Sequence, residues 1–406
     1  MKSRFLSLLL IALSVVVMLR CAAGPSQKQL EMERKAKQEA EAKRKAEQEL
    51  QVKIALSNAM EYYKNKQYKD AIRNFRTVID SLDPDNEIAY KYIADSYFRA
   101  GYEDSAEIAY KQAIEKFPEK AFLHRGLGFI YSRRDKDSLA YIQFLKAAEL
   151  DTADYVSFQR LSSLCAQRGS IDSAIYWSEK AICYDSTNES TVRNLVRLYA
   201  KKGNREELIK TYELLHQLAP EDNQVLLDWG RTAAEAGSLK QAEKVIKEYL
   251  SRNPESSQAR HLLGLTYYYG KQYQKALEQL KRARELNPEN PKIDCDMGLI
   301  YKELKNYDMA FQYAQNALEK EKGYGYAYLL KGSVYEDQGF AKVKPDGTLT
   351  YEAKLEFEKA VNEYKKALHD PDWSQQAENK IKYLAEYLPT KEEKTIKKFL
   401  EEGREE

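Results

Sequence analysis

The feature that most constrains this chain is a period. From Glu87 onward the sequence restarts every 34 residues, at Ala121, Tyr155, Glu189, Asn223, Ser257, Pro291 and Gly325. No insertion or deletion disturbs that register, and an earlier copy begins near Val52. A unit of this length is one supersecondary element that cannot bury its own apolar face, so copies must stack and share a core. Glycine and proline are scarce while Ala, Glu, Lys and Leu abound, which makes the unit helical.

Each place in the unit has a legible job. The eighth residue is usually small, as at Ala59, Ala94, Gly128, Ser162, Gly230, Gly264, Gly298 and Gly332. The twentieth is nearly always alanine: Ala71, Ala106, Ala140, Ala174, Ala242, Ala276, Ala310 and, after an insertion, Ala360. Small residues on two facing helices let the backbones approach closely. An aromatic plug recurs at the eleventh place, as Tyr62, Tyr97, Tyr131, Tyr199, Tyr267, Tyr301 and Tyr335, and this absorbs much of the count of 31 tyrosines. Proline stops the second helix at Pro84, Pro118, Pro220, Pro254, Pro288 and Pro371.

This pattern resembles the tetratricopeptide repeat family, over roughly residues 52–372. The resemblance implies an all-α, right-handed superhelical solenoid of about nine helix-turn-helix repeats, with a concave groove for protein or peptide partners. It implies no enzyme active site and no cofactor.

The resemblance also places the groove on the first helix of each repeat. Its lining positions in repeats two to six carry Lys91, Arg99, Arg125, Arg133, Arg193, Arg197, Lys201 and Arg231 against Asp95 and Glu235. Arg193 and Arg197 lie one helical turn apart, and Arg231 takes the place of Arg197 in the next unit. Such a cluster can grip carboxylates. Repeats seven to nine line the same surface with His261, Leu265, Tyr268, Tyr269 and Tyr326. The expectation is a groove with a basic middle and an aromatic C-terminal end, suited to an acidic peptide with apolar anchors. A solvated basic face without a dedicated ligand is the alternative.

Repeats four to six break their own rule. Cys165 and Ala233 replace the aromatic, Val196 and Leu208 replace small residues, and Leu215 and Tyr249 replace alanine. Either neighbouring volumes compensate or the local curvature changes. Repeat nine carries an insertion at about 340–355, where Pro345-Asp346-Gly347 predicts a turn and the short alternating runs flanking it suggest a hairpin, with a plain loop as the alternative. Beyond it, residues 373–406 read as a capping helix (Trp373, Ala377, Ile381, Leu384, Leu388) and a short tail helix. Thr390 and Glu393 make a capping box for that tail, with Ile396, Phe399 and Leu400 on one side.

The other end of the chain bears on compartment. Lys2 and Arg4 precede an uncharged run from Phe5 to Leu19, too short for a comfortable spanning helix and suited to an export signal over residues 1–20. The run ends in "MLRCAAG", which resembles a bacterial lipoprotein leader with Cys21 as the lipid attachment point. That family favours Gly, Ala or Ser where Arg20 stands. Cleavage after Ala23 and an uncleaved anchor are the competing endings. Residues 21–51 then form a tether and a charged helical spacer, in which Glu31/Lys35, Glu33/Lys37, Glu39/Lys43 and Glu41/Lys45 each support helix by about 0.2–0.5 kcal/mol.

Composition narrows the function classes. Lys plus Arg (65) nearly cancels Asp plus Glu (63), without the basic excess of a general nucleic-acid binder. Cys21, Cys165, Cys183 and Cys295 have no paired spacing, and His124, His216, His261 and His369 form no metal motif. No catalytic, metal or small-molecule site is expected. The sequence therefore points to an exported scaffold, facing the periplasm and anchored in the envelope membrane, that binds protein partners. A self-assembling envelope spacer and an adaptor for a cell-wall enzyme are the alternatives.

Overall fold

The computed structural model describes Ile11 and residues 26–402, with side chains as far as residue 397. The expected lipid site at Cys21 and the tail residues Phe399 and Leu400 lie outside the described side chains. The chain divides into two compact units, Met1–Asp185 and Ser186–Glu406. Each is all-α, and no strand occurs among the described residues.

The first unit begins with α1 (Gln27–Lys64), a single helix of 38 residues started by a capping box between Ser26 and Gln29. No proline or glycine interrupts it, so the charged spacer continues unbroken into the first helix of the first repeat. Only Ala59 of α1 is buried, and Gln48 Nε2 donates to the Leu82 carbonyl at 2.6 Å. Next come α2 (Tyr68–Thr77), ending in a π-turn at Val78–Leu82, α3 (Glu87–Arg99), α4 (Glu103–Lys116), α5 (Ala121–Arg133), α6 (Asp137–Leu150), α7 (Tyr155–Gln167) and α8 (Ile171–Tyr184).

The second unit continues the alternation with α9 (Glu189–Lys202), α10 (Arg205–Leu218), α11 (Asn223–Glu235), α12 (Leu239–Arg252), α13 (Ser257–Tyr269), α14 (Tyr273–Leu286), α15 (Pro291–Glu303) and α16 (Tyr307–Lys320). The last pair is α17 (Gly325–Ala341) and α18 (Tyr351–Ala367), followed by α19 (Ser374–Leu384) and α20 (Lys391–Glu402). From Glu87 to Gly325, every first helix starts at a residue that the 34-residue period marks as a start. The residue just before is often a side-chain cap: Asn86, Asp154, Asn188, Asp222, Ser256 and Asn290 each accept a backbone N–H of the first turn. The turn inside each pair needs a left-handed residue, supplied by Gly101, Gly169, Gly203 and Gly237 and by Lys66, Asp135, Lys271 and Lys305.

Packing within a pair follows one contact. The small eighth residue receives a large twenty-fourth residue from the second helix. A Cβ added at Gly128 would come within 2.9 Å of Phe144, one at Gly230 within 2.6 Å of Ile246, and one at Gly332 within 2.3 Å of Tyr364. Repeat four solves the interface differently. Ser162 and Ser178, both buried, hydrogen-bond at 2.7 Å, and Ser162 also donates to the Ala174 carbonyl. Among the aromatic plugs Tyr131, Tyr199 and Tyr267 are buried, whereas Tyr62 is exposed because no repeat precedes it.

The insertion differs from expectation. It forms no hairpin and instead lengthens both helices of the last pair to 17 residues each, joined by a turn in which Gly347 N–H donates to Lys344 O. Phe340 and Phe357, on the two lengthened helices, pack edge to face at 4.9 Å, so apolar contact favours continuing helix over pairing strands. The capping helix α19 buries Ala377 and Leu384. The tail helix α20 starts with the Thr390–Glu393 box and is held to α18 by Lys354–Glu393 (2.6 Å) and Lys397–Glu352 (3.8 Å), with Ile396 exposed. No helix among the described residues is long and apolar enough to cross a membrane.

Candidate functional site

The aromatic end of the second unit closes into a cavity of about 340 Å³. Helix α13 brings Tyr268 and Tyr269 to it, α15 brings Lys292, Asp296 and Lys302, and α17 brings Tyr326. Tyr364 of α18 and the capping element, with Trp373, Gln376 and Lys380, also line it.

One carboxylate organises these walls. Asp296 is buried, with 4% exposure. Its Oδ1 accepts from the Tyr326 hydroxyl at 2.8 Å, and its Oδ2 lies 2.6 Å from His261 Nε2. Three successive first helices are thereby tied to one side chain. Tyr326 also stacks on Trp373, with ring centroids 4.5 Å apart and planes 10° apart, which fixes the capping element against α17. Burial, and then the neighbouring Asp296 charge, pushes the Tyr326 phenol well above its ordinary value. Burial likewise pushes Tyr268 up to about 12. Both phenols therefore stay uncharged at neutral pH.

Three lysines also line this cavity. Lys380 bonds both oxygens of Glu336 at 3.0 Å, and Lys302 lies 3.3 Å from Glu303 and 3.8 Å from Asp337. Lys292 is exposed, with no carboxylate partner among the described residues. Uncharged aromatic walls, a polar base and one lysine, Lys292, left for a partner's carboxylate suit an apolar or aromatic side chain that carries an acidic flank.

The expected basic residues have more varied roles. Arg125 Nη1 reaches Asp154 Oδ1 at 2.7 Å, and Arg193 Nη2 reaches Asp222 Oδ2 at 2.7 Å. Each arginine is the fifth residue of its repeat and each aspartate caps the next repeat's first helix, so both act as latches between neighbours. Arg133 pairs with Glu103 at 3.1 Å and lies over the Phe98 ring. In the second unit, Arg197 and Lys201 are exposed without an ion pair among the described residues. Arg231 lies 3.5 Å from Asp228 and lines a separate cavity of about 360 Å³ with Tyr212 and Glu235. Arg125 and Arg133 belong to the first unit and the others to the second.

The second latch makes stability pH-dependent. Arg193 holds the Asp222 carboxyl below its ordinary 3.8, against the opposing effect of burial and with help from the Val225 and Gln224 N–H groups. A depressed carboxyl stabilises the fold above pH 3.8 and loses that contribution as pH falls through its folded value. Arg193→Gln is therefore expected to lower stability near neutrality by up to about 1 kcal/mol, since the pair is partly exposed. The gap between variant and parent should close in acid. Urea titrations at several pH values measure it, and a gap that stayed constant would refute the latch.

Sequence reasoning did not single out Asp294 and Asp296, although two acids two residues apart inside "PKIDCDMG" were a visible signal. Asp294 is fully buried and pairs with Lys320, while Arg284 Nε lies 2.8 Å from its Oδ1 without the alignment of a hydrogen bond. The latches were also visible, as Arg five residues into one repeat and Asp just before the next. Buried His124 bonds Gln143 and the Pro118 carbonyl, a packing role.

Comparison with known proteins agrees with this architecture. One tetratricopeptide repeat model matches residues 56–121 and 227–291, and a second matches residues 295–319. Superkiller complex protein 3 of Mus musculus is 28% identical over 176 residues, 42% of this chain but 11% of that protein. Tetratricopeptide repeat protein 37 of Xenopus laevis is 30% identical over 82 residues, 20% of this chain and 5% of that protein. The chain thus spans a small fraction of the curated relatives it matches. Among solved structures, a tetratricopeptide repeat protein from Parabacteroides merdae is 17% identical with a TM-score of 0.42, covering 67% of this chain and 97% of that one. YrrB, described as a TPR protein with an unusual peptide-binding site, is 21% identical with a TM-score of 0.37, covering 49% and 98%. The family matches and the helix-pair architecture together establish tetratricopeptide repeats in both units of this all-α chain.

Proposed function

We propose that this protein is a non-catalytic scaffold that binds protein partners through the aromatic cavity of its second unit. It takes an apolar or aromatic side chain of a partner peptide against Tyr268, Tyr269 and Tyr326 and an acidic flank near Lys292. The observation that carries this reading is the Asp296 hub, which spends a buried carboxylate on holding Tyr326 and the Trp373 wall in place around open space. A groove of tetratricopeptide repeats offers such a cavity to an extended segment.

Selecting peptides on the full chain and measuring their affinity tests the reading. Trp373→Ala and Tyr269→Ala should each weaken binding by roughly tenfold or more, the loss typical of a truncated aromatic anchor. Equal affinity for both variants and the parent would overturn the assignment.

The scaffold is held, on this proposal, at a bacterial envelope membrane through Cys21, facing the periplasm. The support is the charged and apolar order of residues 1–20 and the long exposed helix α1, which suits a spacer between membrane and array. Mass spectrometry of the mature N-terminus should find a diacylglyceryl-modified Cys21. An unmodified chain beginning at Gly24 would dispose of the anchor.

A further inference from the structure

Most first helices in the array are started by a local cap, but α17 is not: Tyr324, the residue before it, makes no side-chain cap. The acceptor comes instead from 45 residues later, where Asp370 Oδ2 accepts the Gly325 N–H at 2.7 Å. A carboxylate suits that place, because the first N–H groups of a helix have no partner within it and form its positive end.

The same residue folds its own segment. Asp370 Oδ1 accepts the Asp372 N–H at 3.1 Å, and the Asp370 carbonyl accepts the N–H groups of Trp373 at 3.1 Å and Ser374 at 2.8 Å. The turn that starts α19 is therefore built on the residue bonded to α17. Gly325 sets how closely the two lie. It holds the first place of its repeat, where every unit from Glu87 to Pro291 carries a side chain. Its backbone is not left-handed, so what the position needs is the missing Cβ. A Cβ there would lie 2.8 Å from Trp373 Cβ and 2.8 Å from Asp370 Cβ, closer than packed carbons come.

We propose that Gly325 and Asp370 are positioning residues for the aromatic cavity, together setting Trp373 where its ring stacks on Tyr326 and closes a wall. Neither residue lines the cavity itself. Trp373 connects them to it: its Cβ rests on Gly325, while its ring lies 4.5 Å from the Tyr326 ring with planes 10° apart. The atoms facing Gly325 are both Cβ atoms, fixed to backbone, so an added methyl must shift the whole turn rather than one rotamer. For its effect on peptides this role rests on the binding reading above; the placement of Trp373 rests on the contacts alone.

Fluorine NMR of the full chain labelled with 5-fluorotryptophan reads the wall without a ligand. Trp177, Trp229 and Trp373 are the three tryptophans, and the Trp373 resonance is the one missing in Trp373→Phe. Stacking on Tyr326 puts that fluorine in the shielding field of a ring. Asp370→Ala and Gly325→Ala should each move it toward its position in urea and leave the Trp177 and Trp229 resonances in place. Hydrogen exchange over α18 reports whether the end of the array is still folded. If Gly325→Ala loses that protection, Asp370→Ala, which adds no clash, decides. A Trp373 resonance unmoved by Asp370→Ala would overturn the proposal.

Peptides selected on the parent chain give the second readout. Gly325→Ala should weaken their binding by roughly tenfold, yet by little more than Trp373→Ala when the two are combined, because the wall it displaces is then absent. Fully additive losses would show Gly325 acting on the peptide by another route and would overturn the positioning role. A displaced Trp373 resonance with undiminished affinity would instead strike the binding reading and leave the placement of Trp373 standing.

Discussion

Tyr364→Ala is expected to cost about 3–5 kcal/mol, the range for removing a large buried aromatic, and to loosen the C-terminal end of the array selectively. Tyr364 has no exposed surface and fills the hollow over Gly332. Its hydroxyl donates to Glu336 at 2.6 Å, and the same carboxylate holds Lys380 of the capping helix. Truncation therefore opens a cavity and weakens the support of α19. Repeat stability is approximately a sum of local and nearest-neighbour contributions, so the loss should stay local. Hydrogen exchange should accelerate over residues 325–384 while residues 87–150 keep their protection. Gly332→Ala gives a sharper version. Its Cβ would sit 2.3 Å from the Tyr364 ring, so it should destabilise the parent by about 1–3 kcal/mol through overpacking yet cost little in the Tyr364→Ala background. Additive costs would show that the two residues do not share one space.

Asp296→Ala should cost roughly 3 kcal/mol and abolish peptide capture. Removing this carboxylate strands the Tyr326 hydroxyl and the His261 ring nitrogen, and a buried group left unpaired costs about 1–3 kcal/mol. The functional consequence follows from position: Tyr326 carries Trp373 on its face, and without its anchor the cavity loses two walls together. Tyr326→Phe separates the roles. It keeps the stacked ring and the volume, loses one hydrogen bond at about 1 kcal/mol and should retain most of the binding. Denaturant titration and peptide affinity, measured on both variants, check this ordering. Full capture by Asp296→Ala would remove the hub from the binding site.

Much of the architecture was legible in residue spacing. The starts at Glu87 through Gly325 coincide with helix starts because helix length, turn and cap are local properties repeated with the period. The aromatic end was legible too, as Tyr268, Tyr269 and Tyr326 fall at three different groove-lining places of their first helices and do line one cavity. The basic middle was legible only as composition. Arg125 and Arg193 read like groove ligands, but each meets an aspartate 29 residues later, a partner that only the repeat register, and not local sequence proximity, brings into view. The insertion misled because Pro-Asp-Gly signals a turn without saying what it joins. Helix on either side was decided by Phe340 meeting Phe357.

The sequence by itself determined the helix pairs, their caps and the small-residue seams, because these depend on neighbours within one 34-residue unit or the next. Only the tertiary structure decided which charges are committed and which stand free, and that a capping helix also forms the wall of a cavity. The physical reason is range. Helix formation and steric fit are set over a few residues, whereas the Asp296 hub and the Trp373 wall arise where side chains from separate repeats converge, and no single unit specifies their meeting.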